Sequence, residues 1–283
     1  MDNFIDILKH RKDKYSSTGN DGIIGYILKK INIKNGTFVE FGAWDGIKNS
    51  NCRKLFDEGW NGIFIEPDLV KYEDLKKNYE GYDDIICVNE KVSDEGGKSF
   101  DSIMEEHLRE GQIDFCSIDV DGLDLAIFET FEKYLPTVIC IEGGMMLHPF
   151  NKRIKKKAAE KNIQQSLKII NDSFEEKGYK ILCSYQDSFF VKKEFYHLFN
   201  VSSDLLTLYF NGLRAIPRRM PFIQKFTGKV NLKNSIVDYI IKSSEYKKYK
   251  WTQRKKWAIN ERKLINKAID EIEKKERRKY EKN

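Results

Sequence analysis

Apolar residues along this chain fall in short continuous runs separated by amphipathic stretches. Residues 37–41, 62–65, 85–88, 113–120 and 138–141 read as strands. Helical spacing fills the intervals at 50–58, 69–79, 100–108 and 125–134, the last closed by Pro136. In 69–79, Leu69, Tyr72, Leu75 and Tyr79 line one face. Continuous apolar runs, rather than strict alternation, suit parallel strands covered on both faces. The rhythm predicts an α/β fold: an open, doubly wound and Rossmann-like sheet. After Gly143-Gly144 the pattern changes. Residues 151–178 read as a long polar helix. Residues 179–185 and 189–195 read as strands joined by Gln186-Asp187-Ser188, an antiparallel hairpin that finishes the sheet. From about Val201 the chain is helical again, broken at Pro217 and Pro221, and 235–283 hold neither Gly nor Pro. This divides the chain into a domain at 1–200 and a helical, basic extension at 201–283.

Composition narrows the classes. A chain of 283 residues that is 40% hydrophobic and 13% aromatic can bury a sizeable core, which excludes wholesale disorder. Its longest apolar runs are four residues, far short of the roughly 18 to 20 that a spanning helix needs. Met1-Asp2-Asn3-Phe4 lacks the basic and apolar regions of a secretory signal, so a soluble, cytoplasmic protein is expected. The five cysteines are scattered, without metal spacing, and read as small buried thiols. The net charge of +6 is uneven. Residues 242–283 carry 16 Lys/Arg against 7 Asp/Glu, whereas the rest is slightly acidic. Nucleic acid is therefore not the expected partner of the main domain.

The first strand ends in Glu40-Phe41-Gly42-Ala43-Trp44-Asp45-Gly46, an E-x-G-x-x-x-G loop. In a doubly wound sheet this loop lies at the ligand-binding edge. Its glycines permit a tight turn and close approach of backbone to ligand. Trp44 and Asp45 fill the space a pyrophosphate needs, and Asp45 would repel one. An ammonium group, by contrast, suits that carboxylate, so the loop favours a zwitterionic cofactor without phosphate. S-adenosylmethionine fits. Glu66 ends the second strand 20 residues after Gly46, where an acid accepts the hydroxyls of a ribose.

With these motifs the sequence resembles the class I S-adenosylmethionine-dependent methyltransferases, and within them the FkbM family. The features are residues 16–21, Val39-Glu40-Phe41-Gly42-Ala43 with Asp45-Gly46, Ser50-Asn51, Gly59-Trp60, Ile65-Glu66, and Asp114 followed by Ser117-Ile118-Asp119-Val120-Asp121-Gly122. They span about residues 15–195. Asn20 stands where the family usually has an acid, and Asp121 where it often has Glu. The resemblance implies methyl transfer to a hydroxyl oxygen of a sugar, lipid-linked glycan or natural product. It assigns Glu40, Gly42, Ala43, Asp45 and Gly46 to the methionine half of the cofactor and Glu66 to ribose. Asn89, Val92 and Ser93 would flank adenine, and Ser50 and Asn51 would fix the carboxylate.

For the acceptor side, Asp119, Asp121 and Asp124 follow the fourth strand, and Glu142 ends the fifth with His148 soon after. Asp119, Asp121 and Glu142 are hard oxygen ligands suited to Mg2+, which lowers a hydroxyl's pKa. Alternatively, Asp119 or His148 serves as general base. Asp121 and Asp124 are equally suited to capping the next helix. Leu205, Leu206, Leu208, Tyr209 and Phe210, followed by Arg214, Arg218 and Arg219, suit either packing on the domain or docking on an anionic membrane or a lipid-linked acceptor. The basic tail suits an anionic glycan, a peripheral membrane contact or simple solvation, with Trp251 and Trp257 arguing that part of it packs. The expected function is O-methylation of a carbohydrate or glycoconjugate. Rivals are methylation of an RNA ribose or a protein, and a non-catalytic binding module that anchors a membrane or glycan assembly.

Overall fold

The computed structural model describes residues 4–93, 98–108, 111–120, 122–144, 149–150, 165–215 and 254–280. A 3-10 turn at Ile7–His10 precedes α1 (Asn20–Lys30). Then come β1 (Thr37–Phe41), α2 (Arg53–Asp57), β2 (Asn61–Ile65), α3 (Leu69–Asn78), β3 (Ile85–Val88), α4 (Phe100–His107), β4 (Phe115–Ile118), α5 (Asp124–Glu129) and β5 (Val138–Glu142). The remainder is α6 (Leu167–Glu176), β6 (Tyr179–Ser184), β7 (Asp187–Lys192), a second 3-10 turn, α7 (Leu205–Ala215) and α8 (Arg254–Tyr280). The strands form one sheet in the order β3-β2-β1-β4-β5-β7-β6. The first five are parallel, and β7 inserts antiparallel between β5 and β6. This is a Rossmann-like sheet, with strand order reversing between β1 and β4.

Side-chain alternation sorts the core into two layers. Phe38, Phe64 and Phe115 pack with Ile23, Ile24 and Ile27 of α1, Leu55 of α2 and Leu75 of α3. Val39, Phe41, Ile65 and Ile118 pack on the other face with Phe100, Phe128, Phe174 and Leu206 of the later helices. Both faces are covered, which is why the strands read as unbroken apolar runs.

Helix ends depart from the sequence reading where side chains claim the backbone. α5 stops at Glu129 because the amides of Glu132, Lys133 and Tyr134 donate to the Asp101 carboxylate instead of continuing the helix. α2 starts only at Arg53, because Ser50 and Asn51 are committed to Glu40. β7 begins at Asp187, so the hairpin turn is shorter than expected. The described part of the long 151–178 stretch is helical over Leu167–Glu176, capped by Ser166; residues 151–164 lie outside the described residues.

The apolar side chains of α7 are buried against β6 and α8, so they pack within the molecule and are not displayed for membrane docking. Arg214 pairs with Asp270 at 2.7 Å and Glu273 at 2.6 Å, and Arg277 pairs with Asp204 at 2.8 Å, tying α7 to α8. Trp251 lies outside the described residues. No described helix is long and apolar enough to cross a membrane. All five cysteines are free thiols, and four are buried.

Candidate active site

The β1 loop is shaped by close approach. Gly42 and Gly46 take φ of 65° and 70°, in the left-handed region. A Cβ on Gly42 would lie 2.1 Å from the carbonyl oxygen of Asp119, and one on Gly46 would lie 2.5 Å from the Tyr79 ring. Glycine alone lets this loop press against the ends of β4 and α3. Trp44, at φ 52°, is a bulky residue in the same region, a conformation that costs on the order of 1–3 kcal/mol. The amide of Ala43 donates to the carbonyl of Ile65 at 3.2 Å, tying the loop to the end of β2. Asp45 Oδ1 accepts from the amides of Ile47 and Lys48 at 2.9 and 2.8 Å. One oxygen of the carboxylate read as an ammonium partner therefore stabilises its own turn.

Glu66 follows β2 and is only 4% exposed. Its Oε2 accepts from the amide of Trp44 at 2.8 Å, and its Oε1 from the amide of Asp68 at 2.8 Å. Each oxygen retains further accepting capacity. Asn89, after β3, donates its side-chain amide to the Glu66 carbonyl at 2.8 Å and to the Pro67 carbonyl at 3.3 Å. It shapes the Glu66 loop from behind. Val92 is buried and bridges Lys98, and the Ser93 amide donates to the Lys98 carbonyl at 3.1 Å. All three lie past the end of β3, and Asn89 is the one of them bonded to the Glu66 loop.

Glu40 lies inside the protein, 5% exposed, where Ser50 Oγ donates to it at 2.5 Å and the Asn51 amide at 2.7 Å. Burial pushes its pKa up to about 7, against the opposing pull of those hydrogen bonds. From Asn51 a buried polar network runs outward. Its side-chain amide donates to Ser117 Oγ at 2.9 Å, while its Oδ1 accepts from Asn20 at 2.8 Å. Asn20 also donates to Asp187 Oδ2 at 2.8 Å and accepts from the Tyr185 hydroxyl. Burial raises the pKa of Asp187, opposed by the hydrogen bonds from Asn20 and Thr18. The sequence marks Ser117 only as part of the fourth-strand motif, places Asp187 in the hairpin turn and gives Tyr185 no role beyond its strand; the one local signal is Asp187, a lone acid at the mouth of an apolar hairpin.

On the acceptor side, Asp119 is exposed just beyond β4. Asp119, Asp124 and Glu142 bring one carboxylate oxygen each within 4.8 Å of one another. Asp124, read above as suited to capping the next helix, does not cap it: it is the first residue of α5, and its oxygens accept from the amides of the preceding loop, Val120 at 2.9 Å and Gly122 at 2.8 Å. Asp121 and His148 lie outside the described residues. His10 stacks on Tyr26, far along the chain from these acids.

Comparison with known proteins bears on the later half of this site. Residues 95–181 match the methyltransferase FkbM domain. Over that segment the chain is similar to FkbM methyltransferases, the family that its motifs resemble. The matched segment begins before α4, ends within β6, and contains Asp119 and Glu142. The chain is similar to a TehB-like SAM-dependent methyltransferase from Corynebacterium glutamicum, at 10% identity and TM-score 0.39, over 64% of this chain and 90% of that one. It is similar to an SAH-bound methyltransferase of Podospora anserina at 12% identity and TM-score 0.42, over 62% and 79%. A SAM-dependent methyltransferase from Aquifex aeolicus gives 12% identity and TM-score 0.37, over 59% and 86%. Among curated proteins no match was found.

Proposed function

We propose that this FkbM-type methyltransferase moves the methyl group of S-adenosylmethionine to a hydroxyl oxygen of a carbohydrate or glycoconjugate, such as a cell-envelope glycan or a nucleotide sugar. The observation that carries the cofactor assignment is the Glu66 carboxylate bonded to the Trp44 amide. It joins the ribose acid and the glycine turn into one unit beside the strand-order reversal, where such sheets bind ligands. S-adenosylmethionine supplies an electron-poor methyl group when bound. Glu66 would accept the ribose hydroxyls, and Gly42 and Gly46 would let backbone approach the ligand closely. Glu40, Ser50 and Asn51 would hold the methionine end, with Asn89, Val92 and Ser93 bordering adenine. Asp119, exposed beside Gly42, would take the proton of the acceptor hydroxyl. The choice of a carbohydrate acceptor is supported by the FkbM likeness.

A second reading of the acid cluster is Mg2+ held by Asp119, Asp124 and Glu142, favoured by one oxygen of each lying within 4.8 Å of the others and by hard oxygen chemistry. The net positive charge of residues 242–283 supports peripheral contact with an anionic membrane face or glycan in the cytoplasm.

Calorimetry is expected to show binding of S-adenosylhomocysteine and none of NAD, and labelled methyl is expected to enter envelope glycans or nucleotide sugars. Binding of NAD alone overturns the cofactor reading. Asp119→Asn is expected to lower turnover by about 10²–10⁴ while cofactor affinity stays nearly unchanged. An active Asp119→Asn enzyme removes this residue from the mechanism. Loss of activity in EDTA, with recovery in Mg2+, supports the metal reading; indifference to both rejects it.

A further inference from the structure

Trp44 is a large apolar side chain left exposed on the β1 loop, as are Leu69 and Val70 at the start of α3. It is 41% exposed, whereas its neighbours Phe41, Ala43 and Ile65 are buried. Its backbone is in the left-handed region, and its amide is fixed by Glu66 at 2.8 Å. Gly42, two residues earlier, abuts the carbonyl of Asp119. The indole is therefore anchored on a short, rigid loop between the proposed ribose acid and the proposed base. A strained backbone that keeps a large aromatic ring in water has a cost, which hydrophobic burial does not repay.

Two cations converge on this ring. The Lys48 and Lys71 ammonium groups each lie 5.2 Å from its centroid, Lys48 from the loop itself and Lys71 from the first turn of α3. Neither makes an ion pair among the described residues. Lys14, Lys54, Lys98 and Lys133, by contrast, each hold a carboxylate partner. An ammonium over an exposed ring is weakly held compared with one that donates a charge-assisted hydrogen bond to an anionic oxygen. The pair is thus free to turn from the ring to an incoming anion, which uncovers the indole. A flat apolar ring suits the face of a sugar, whose axial C–H groups pack on aromatic carbon.

We propose that Trp44, Lys48 and Lys71 form an acceptor subsite, a stacking platform with a cationic rim, and that the acceptor is accordingly a sugar bearing a phosphate or carboxylate. This deepens the carbohydrate reading above and rests on it. The indole takes the sugar face, and the two ammonium groups take the anionic oxygens.

Saturation-transfer NMR on the full chain tests this with glucose 1-phosphate, glucuronic acid and, as neutral control, glucose. The first two are expected to receive saturation, glucose far less, and their relative strengths tell phosphate from carboxylate. The double variant Lys48→Glu/Lys71→Glu is expected to weaken binding of the anionic probes at least tenfold, and Trp44→Leu to abolish transfer to the sugar C–H protons. Calorimetric affinity for S-adenosylhomocysteine should stay within twofold in the lysine variant. Equal probe binding by wild type and the lysine variant overturns the proposal, as does no probe binding by wild type. A loss of S-adenosylhomocysteine affinity alone in the lysine variant reassigns the rim to the cofactor and overturns it too. If wild type binds the anionic probes at this rim but not S-adenosylhomocysteine, the cofactor reading fails and the subsite stands.

Discussion

At the residue scale, Glu66 and Glu40 are both buried acids, with different consequences. Glu66 holds two backbone amides as well as its proposed ligand. Glu66→Ala is expected to lower S-adenosylhomocysteine affinity roughly 10- to 100-fold, the range for losing a charge-assisted hydrogen bond of about 1.5–3 kcal/mol. It should also lower Tm, because two amides lose their partner. Calorimetry and thermal melts separate the effects, and unchanged affinity in a folded variant removes Glu66 from the site. Glu40 is different because burial raises its pKa from 4.5 to about 7. Between those values the folded chain holds a proton that the unfolded chain has released, so this residue's contribution to stability falls as pH rises from about 4.5 to about 7 and is level above that. Glu40→Gln is expected to flatten that part of the Tm–pH profile. Parallel melts from pH 5 to 8 check it, and an identical slope in the two proteins would show that Glu40 ionises normally.

At the element scale, the site depends on loops pressed together rather than on the strands alone. Gly42→Ala tests this. Its Cβ would meet the Asp119 carbonyl at 2.1 Å in a backbone region that disfavours a side chain. A loss of about 2–4 kcal/mol is expected from clash and left-handed strain together. Activity should fall further than stability, because the clash displaces Asp119. Urea melts beside single-turnover rates decide it; a variant of wild-type stability and rate would mean the loop is looser than its packing suggests. Gly42 and Glu66 were legible in the sequence because each ends an apolar strand. The Asn20–Asp187–Tyr185 network was not, since its members come from segments 165 residues apart and more. No local pattern marks such a meeting.

For the whole molecule, the C-terminal helix matters to the core as well as to charge. Ile269 of α8 is buried in the cluster that holds Leu206 and Phe210 of α7, and ion pairs from Arg214 and Arg277 lock the two helices. Removing residues 250–283 would expose that apolar face. Tm is expected to drop by several degrees, with a gain in binding of a hydrophobic dye, while S-adenosylhomocysteine affinity measured well below the new Tm stays close to wild type, since every proposed cofactor contact precedes residue 94. A truncated protein with unchanged Tm would mean that α8 adds nothing to the core.

What the sequence by itself determined is the fold class, the parallel character of the first five strands, the glycine turn, the acid at the end of β2 and the apolar hairpin. Each is written in local periodicity, or in residue types whose backbone or charge demands are met within a few positions. The tertiary structure alone decided the rest: where α2 and α5 begin and end, that Asp124 joins Asp119 and Glu142, and that Asp187 closes a network with Asn20 and Asn51. It also decided that Lys48 and Lys71 meet over Trp44. These depend on side chains distant in sequence competing for the same backbone amides, carboxylates and ring faces, a contest settled only when the sheet edge brings the loops together.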